Sequence, residues 1–266
     1  MDNLFKTIDN IAIDIKNRVF DNYHELSDSG DILNYCNKVI IEDFSKLDNI
    51  KGVISNKDKE LKTINEEGEI IVSYIAIDSL ELLELSFSVG SLFGFYKGGL
   101  CADNLIGSSY ITYGPTFQVM HTKDGRTEFH IYDDYIFKKQ PPLSLSNKGK
   151  INSTAGDIKD FEDNHKKLIQ NLFNSGYRLR LSNSFVLDMH QIIFKKGGLY
   201  SNPSMEQELL FELYPFALII ESLGGEAIDG KNRILDIKLE DKLDKKSPIY
   251  IGSKDEISLV KEYLNN

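Results

Sequence analysis

Residues Glu69 to Ile77 read Glu-Ile-Ile-Val-Ser-Tyr-Ile-Ala-Ile and lead directly into Asp78. The run is rich in β-branched residues and largely apolar, so it is expected to form a strand buried on both faces. Such a strand holds its last residue rigidly at an edge that opens to solvent, which is where α/β folds commonly place functional side chains. Asp78 is therefore the first candidate site residue.

The rest of the chain fits an α/β protein. Leu4, Ile8, Ile11, Ile15 and Val19 recur at three- and four-residue steps and predict an opening helix. Ser27 to Asp31 is expected to break it, and Ile32, Cys36, Val39, Ile40, Phe44 and Leu47 line a second helix. Gly52–Ser55, Phe87–Phe95, Asn104–Tyr113, Thr116–His121 and Thr127–Tyr132 read as strands, with glycine-containing turns between the later ones. Phe137 to Lys150 is a polar link with Pro141-Pro142, which divides the chain into α/β halves, 1–145 and 146–266. Helices are expected over Asp160–Phe173, Ser184–Lys196, Glu206–Gly224 and Glu256–Leu264. Strands are expected near Ala227 and over Ile234–Leu239 and Ile249–Gly252.

Charge narrows the partners. The 266 residues carry 31 basic and 41 acidic side chains, a formal charge of −10. An acidic chain without a basic block is a poor ligand for nucleic acid or anionic lipid. Any phosphate site would need a local cation or a metal. Cys36 and Cys101 are isolated and read as free thiols in a reducing compartment. No apolar stretch approaches the ~20 residues of a membrane span, and the N-terminus lacks the pattern of a signal peptide. The expected location is cytoplasmic.

From Asp78 the sequence continues Ser-Leu-Glu-Leu-Leu-Glu, then Ser88-Val-Gly-Ser-Leu-Phe-Gly-Phe-Tyr96. Later come Tyr113-Gly-Pro115, Lys150-Ile-Asn152, Tyr177-Arg-Leu-Arg180, Asp188-Met-His-Gln191, Gly197-Gly-Leu-Tyr200, Glu212-Leu-Tyr-Pro-Phe-Ala217 and Pro248-Ile-Tyr-Ile-Gly-Ser253. In this order and spacing these segments resemble class 1, bacterial-type fructose-1,6-bisphosphatases over nearly the whole chain, loosely before residue 69 and closely after residue 176. The resemblance implies a layered sugar-phosphatase fold with two mixed sheets and packed helices. It also implies a homo-oligomer and Mg²⁺-dependent hydrolysis of a sugar phosphate.

The same resemblance assigns roles. Asp78, Glu81 and Glu212 stand at metal-ligand and catalytic positions, and Asn152 and Arg180 at substrate-phosphate positions, with Arg180 implied to reach a neighbouring subunit. Several expected residues are replaced. The family's catalytic loop reads Asp-Pro-Leu-Asp-Gly-Ser-Ser, whereas Glu81 here takes the place of the second aspartate and Leu82, Leu83 and Glu84 that of Gly-Ser-Ser. An early acidic pair falls on Asn56 and Lys57, with Asp58 and Glu60 nearby; a tyrosine falls on Leu181, another on Asn202, and basic residues on Glu206 and Glu208. Metal-assisted hydrolysis needs several hard oxygen ligands around the cations, and the three remaining carboxylates suit one Mg²⁺ rather than a cluster.

Plainer readings stand beside these. Asp78 can serve as a strand-end cap, and Glu81 and Glu84 as a solvated helix face. Glu212 lies in an apolar run and needs a partner, for which Arg180, a lone cation or a metal are candidates. His190 is expected to be a satisfied core histidine. Neither a Ser-His-Asp arrangement nor a Gly-rich nucleotide loop is present. Three functions remain open: a family member with weakened or lost phosphatase activity and a ligand-sensing or assembly role, an active phosphatase on the same or another sugar phosphate, and a structural partner of an active homologue.

Overall fold

The computed structural model describes residues 1–20, 29–240 and 242–265. Helix α1 (Asp2–Ile15) runs into a π turn at Lys16–Phe20, and helix α2 (Ser29–Phe44) follows; of the expected break at Ser27–Asp31, Ser27 and Asp28 lie outside the described residues, whereas Ser29–Asp31 already form the first turn of α2. Eight strands come next: β1 (Ile50–Ser55), β2 (Lys62–Thr63), β3 (Ile70–Asp78), β4 (Val89–Lys97), β5 (Leu105–Tyr113), β6 (Gln118–Lys123), β7 (Arg126–Asp133) and β8 (Ile136–Lys139). They form one sheet in the order β2-β1-β3-β4-β5-β6-β7-β8, in which only β1 and β3 pair in parallel.

The second half contributes β9 (Ile151–Thr154), α3 (Asp163–Asn174), β10 (Arg178–Leu179), α4 (Phe185–Phe194), β11 (Leu199–Glu208), α5 (Tyr214–Ser222), β12 (Glu226–Ile228), β13 (Lys246–Gly252) and α6 (Lys254–Leu264). Its sheet has the order β10-β9-β11-β13-β12 and mixes parallel and antiparallel pairs.

Alternation along the strands builds five layers. On β3, Val72, Tyr74 and Ala76 face α1 and α2, packing against Ile8, Ile11 and Ile40. Ile71 and Ile75 face the other way, into a core shared with Met189 and Ile192 of α4, Phe216 and Ile220 of α5, and Ile249 and Ile251 of β13. Helices α4 and α5 thus lie between the two sheets. Helices α3 and α6 cover the far face of the smaller sheet through Leu168, Leu172, Ile257 and Val260. Strand β3 is buried along its length, as its composition requires, and Asp78 at its end is only partly covered.

Two expectations are corrected. Glu206–Glu208 are not helical. They close β11, which bulges between Asn202 and Gln207 against β13; a π turn, Leu209–Leu213, then leads into α5, whose first turn accommodates Pro215. Ser201–Met205 is part of the same strand. Ile234–Leu239 is not a strand: Ile234–Asp236 forms a 3-10 turn, with a single bridge from Ile228 to Arg233 nearby.

Candidate functional site

Asp78 ends β3 opposite the start of α4. The close approach depends on Gly90, which pairs with Asp78 across the sheet. A side-chain carbon at Gly90 would collide with Val186 of α4 and lie 2.8 Å from the Ile111 carbonyl oxygen. With that space free, the N-terminus of α4 comes onto the Asp78 carboxylate. The Ser184 hydroxyl donates to Asp78 Oδ2 at 2.7 Å and the Val186 N–H donates to the same oxygen at 2.9 Å. Ser79, held in the left-handed region at φ 55°, donates to Asp78 Oδ1 at 3.3 Å and to the Asn183 carbonyl at 2.6 Å. Asp78 therefore caps a helix that follows it by more than a hundred residues, and its negative charge complements the helix dipole. Burial raises its pKa; the bonds from Ser184, Val186 and Ser79 pull it down, and the Glu81 charge raises it.

Glu212 lies on the π turn before α5. Its Oε2 accepts the Glu208 N–H at 2.6 Å. Burial pushes its pKa up to about 8, with the charges of Asp78 and Glu208 adding to the rise against Lys246 and the Glu208 N–H. The partner this acid requires is thus a backbone amide, not Arg180. Arg180 is exposed, and its guanidinium donates to the neighbouring Leu179 carbonyl at 2.8 Å.

The remaining candidates are spread out. Glu81 is exposed on the short turn Leu80–Leu83 and meets Asn183 Nδ2 at 3.4 Å. Leu82 packs into the outer core with α1 and α2. Asn152 is fully buried in β9; its Oδ1 accepts from the Thr154 hydroxyl at 2.9 Å, and its Nδ2 has no hydrogen-bond partner among the described residues. His190 meets the Tyr110 hydroxyl through Nδ1 at 3.0 Å, and burial lowers its pKa to about 4, the state of a neutral, satisfied histidine.

Two residues join the site that sequence reasoning did not place there. Asp188 of α4 is buried; its Oδ1 accepts the Ser182 N–H and hydroxyl, each at 2.8 Å. Burial raises its pKa to about 7, and the Asp78 charge adds to the rise. Asp78, Asp188 and Glu212 all act on the buried Tyr200 hydroxyl, whose pKa burial lifts far above its usual value. The second residue is Lys59, in the left-handed region at φ 56°, whose ammonium pairs with Glu208 Oε1. Glu208 in turn holds Glu212 through its backbone. Lys59 stands beside the Asn56-Lys57 segment where the resemblance implies an acidic pair; Lys57 itself is exposed, and Asp58 pairs with Lys62 at 3.3 Å. Serines at 182 and 184 flanking an Asp at 188 were the signal for Asp188; Lys59 and Glu208 are 149 positions apart and left none.

As placed, these acids do not suit a magnesium ion. Asp78 and Asp188 point their oxygens at hydroxyls and amides of one helix start, Glu212 at a backbone amide, and the exposed Glu81 at the Asn183 side-chain amide. Among the described residues no three His, Cys, Asp or Glu side chains gather closely enough to hold a metal.

The fold and this strand-end acid define a sugar-phosphatase architecture. A fructose-1,6-bisphosphatase from Leishmania major in holo form superposes with a TM-score of 0.90 at 21% identity, covering 99% of this chain and 94% of that one. The T-state structure from the same organism gives 0.85 at 20% identity, covering 100% and 92%. The model of the fructose-1-6-bisphosphatase C-terminal domain matches residues 145–265. A class 1 fructose-1,6-bisphosphatase from Campylobacter hominis is 35% identical over 98% of this chain and 99% of its own length. One from Campylobacter jejuni is 38% identical over 85% of this chain and 83% of its own. The chain belongs to the class 1 fructose-1,6-bisphosphatase family.

Proposed function

We propose that this chain is a family member whose sugar-phosphate phosphatase activity is lost or much weakened, and whose preserved scaffold serves ligand sensing or assembly. One observation carries the reading: the Asp78 carboxylate is engaged by the Ser184 hydroxyl and the Val186 N–H as a helix cap. Glu212 is likewise engaged by Glu208, whose own carboxylate meets the ammonium of Lys59. Acids that hold a metal cluster present free oxygens to a common point; these acids are turned to the protein's own donors. The expected setting is the cytoplasm, with a sugar phosphate as ligand and association with further copies or an active relative.

In this scheme the residues hold rather than react. Ser79 and Ser184 fix Asp78 against α4, Lys59 neutralises Glu208, and a raised Glu212 pKa keeps part of that carboxyl protonated near neutrality. The test is phosphate release from fructose 1,6-bisphosphate with Mg²⁺ or Mn²⁺. Turnover near 1 s⁻¹ or faster, ordinary for an enzyme, contradicts the proposal.

The second reading, an active metal-dependent phosphatase, rests on a different observation. Asp188 and Glu212 each feel the charge of Asp78, and all three carboxyls have a raised pKa. A cation drawn among them would relieve that repulsion. A phosphate-release screen across sugar and inositol phosphates separates the two readings.

A further inference from the structure

A cleft of about 430 Å³ opens at the free edge of the smaller sheet, beside the C-terminus of α4. Three segments supply basic side chains to it: Lys148 and Lys150 before β9, Arg178 and Arg180 at β10, and Lys195 and Lys196 at the end of α4. Among the described residues no acidic side chain lines it. Lys148, Lys150, Arg178, Lys195 and Lys196 all reach solvent, and among the described residues none of them has an ion-pair partner. That is unusual company in a chain of net charge −10, whose other lysines repeatedly pair with acids, as in Lys97–Glu69 and Lys261–Glu226.

The backbone fixes this arrangement. The Arg178 N–H donates to the Lys150 carbonyl and the Ser146 N–H to the Lys196 carbonyl, each at 2.9 Å. Gly149 lies so tightly on Gly197 and Gly198 that any side chain there would strike their backbone. The two basic loops are therefore locked against each other. Asp255 and Glu256 lie behind the first loop rather than in the cleft: the Asp255 N–H meets the Asn147 carbonyl, and Glu256 Oε1 accepts from Gly149 N–H and the Tyr177 hydroxyl. Complementing the dipole of α4 accounts for Lys195 and Lys196, but not for the cations brought from β10 and the loop before β9. Like charges crowded together repel, and a bound anion relieves that repulsion.

We infer that this cleft binds a compact phosphorylated anion carrying the charge of at least two phosphoryl groups. It shares Arg180 with the substrate-phosphate positions that the family resemblance implies, but lies apart from the Asp78 carboxylate. Val186 contacts Asp78 at one end of α4, and Lys195 stands nine residues on, roughly 14 Å along the helix axis at 1.5 Å per residue. This inference is read from anion binding and the proposed function from phosphate release, so failure of one is distinguishable from failure of the other.

Calorimetric titration with inorganic pyrophosphate tests it. One site per chain is expected, at least tenfold tighter than for inorganic phosphate and weakened by added salt. The exposed pair Lys148→Gln/Lys195→Gln should weaken pyrophosphate binding at least tenfold. The control pair Lys6→Gln/Lys167→Gln removes the same charge from other exposed positions and should leave binding within twofold of the unsubstituted protein. Lys148→Gln alone serves if the double variant unfolds. Pyrophosphate should raise the unfolding temperature of the control pair and not of the cleft pair. Undiminished binding in the cleft variants, or equal loss in both pairs, overturns the inference.

Discussion

At the scale of the residue, one carboxylate illustrates how sequence position and side-chain use come apart. Asp78 occupies the strand end where a catalytic acid is expected, yet its oxygens serve Ser184, Val186 and Ser79. Asp78→Ala leaves the Val186 N–H and the Ser184 hydroxyl without their acceptor and should destabilise the protein by about 1–2 kcal/mol in urea unfolding. A neutral effect would show that the capping role is absent. Lys59→Met strips the buried Glu208 of its cation and should cost about 1–2 kcal/mol in the same assay. Glu208→Gln in that background is expected to recover most of the loss, because the unpaired charge is gone. The sequence nominated Asp78 and Glu212 as candidate site positions. It could not name the groups that hold them, since Ser184, Glu208 and Lys59 reach them only through the fold.

At the scale of the element, α4 is set by packing on Gly90 and by its cap. Gly90→Ala should cost about 2 kcal/mol or more, as its methyl meets Val186 and the Ile111 carbonyl; stability equal to the unsubstituted protein would mean that α4 can retreat. Helix α3 offers a pH test. His165 is buried against Phe161, with Nδ1 at 3.2 Å from the Tyr250 hydroxyl, and burial lowers its pKa to about 4. The unfolded chain binds this proton near pH 6.5 while the folded chain does not. Its stabilising share is therefore complete above about pH 6.5 and lost as pH falls toward 4. His165→Gln should flatten the acid limb by on the order of 2 kcal/mol relative to the unsubstituted protein; identical pH profiles would refute it. Comparison with the variant matters because Asp188, with its raised pKa, acts in the opposite direction over the same range.

Regular elements with a clear period, such as α1 and β3, were readable. Glu206–Glu208 were not, because the apolar run Leu209–Leu213 gave them helical neighbours, whereas pairing of Gln207 and Glu208 with Ser247 and Lys246 makes them strand. Ile234–Leu239 has the apolar spacing of a strand but forms a turn, with one bridge near its start and no ladder.

At the scale of the molecule, the two sheets share a single core through α4 and α5. That arrangement predicts one cooperative unfolding transition, with far-UV and near-UV signals coincident; two resolved transitions would contradict it. The layered fold with two mixed sheets and packed helices followed from the order of family segments. Which acids face one another, and which face a lysine, depended on contacts across the layers. The central claim is that these acids serve the fold rather than a metal. Manganese titration by calorimetry, paired with phosphate release from fructose 1,6-bisphosphate, tests it most directly. The account predicts no ion bound below roughly millimolar concentration, about −4 kcal/mol, and no turnover approaching 1 s⁻¹. Two ions bound with micromolar affinity, accompanied by turnover at that rate, would contradict it.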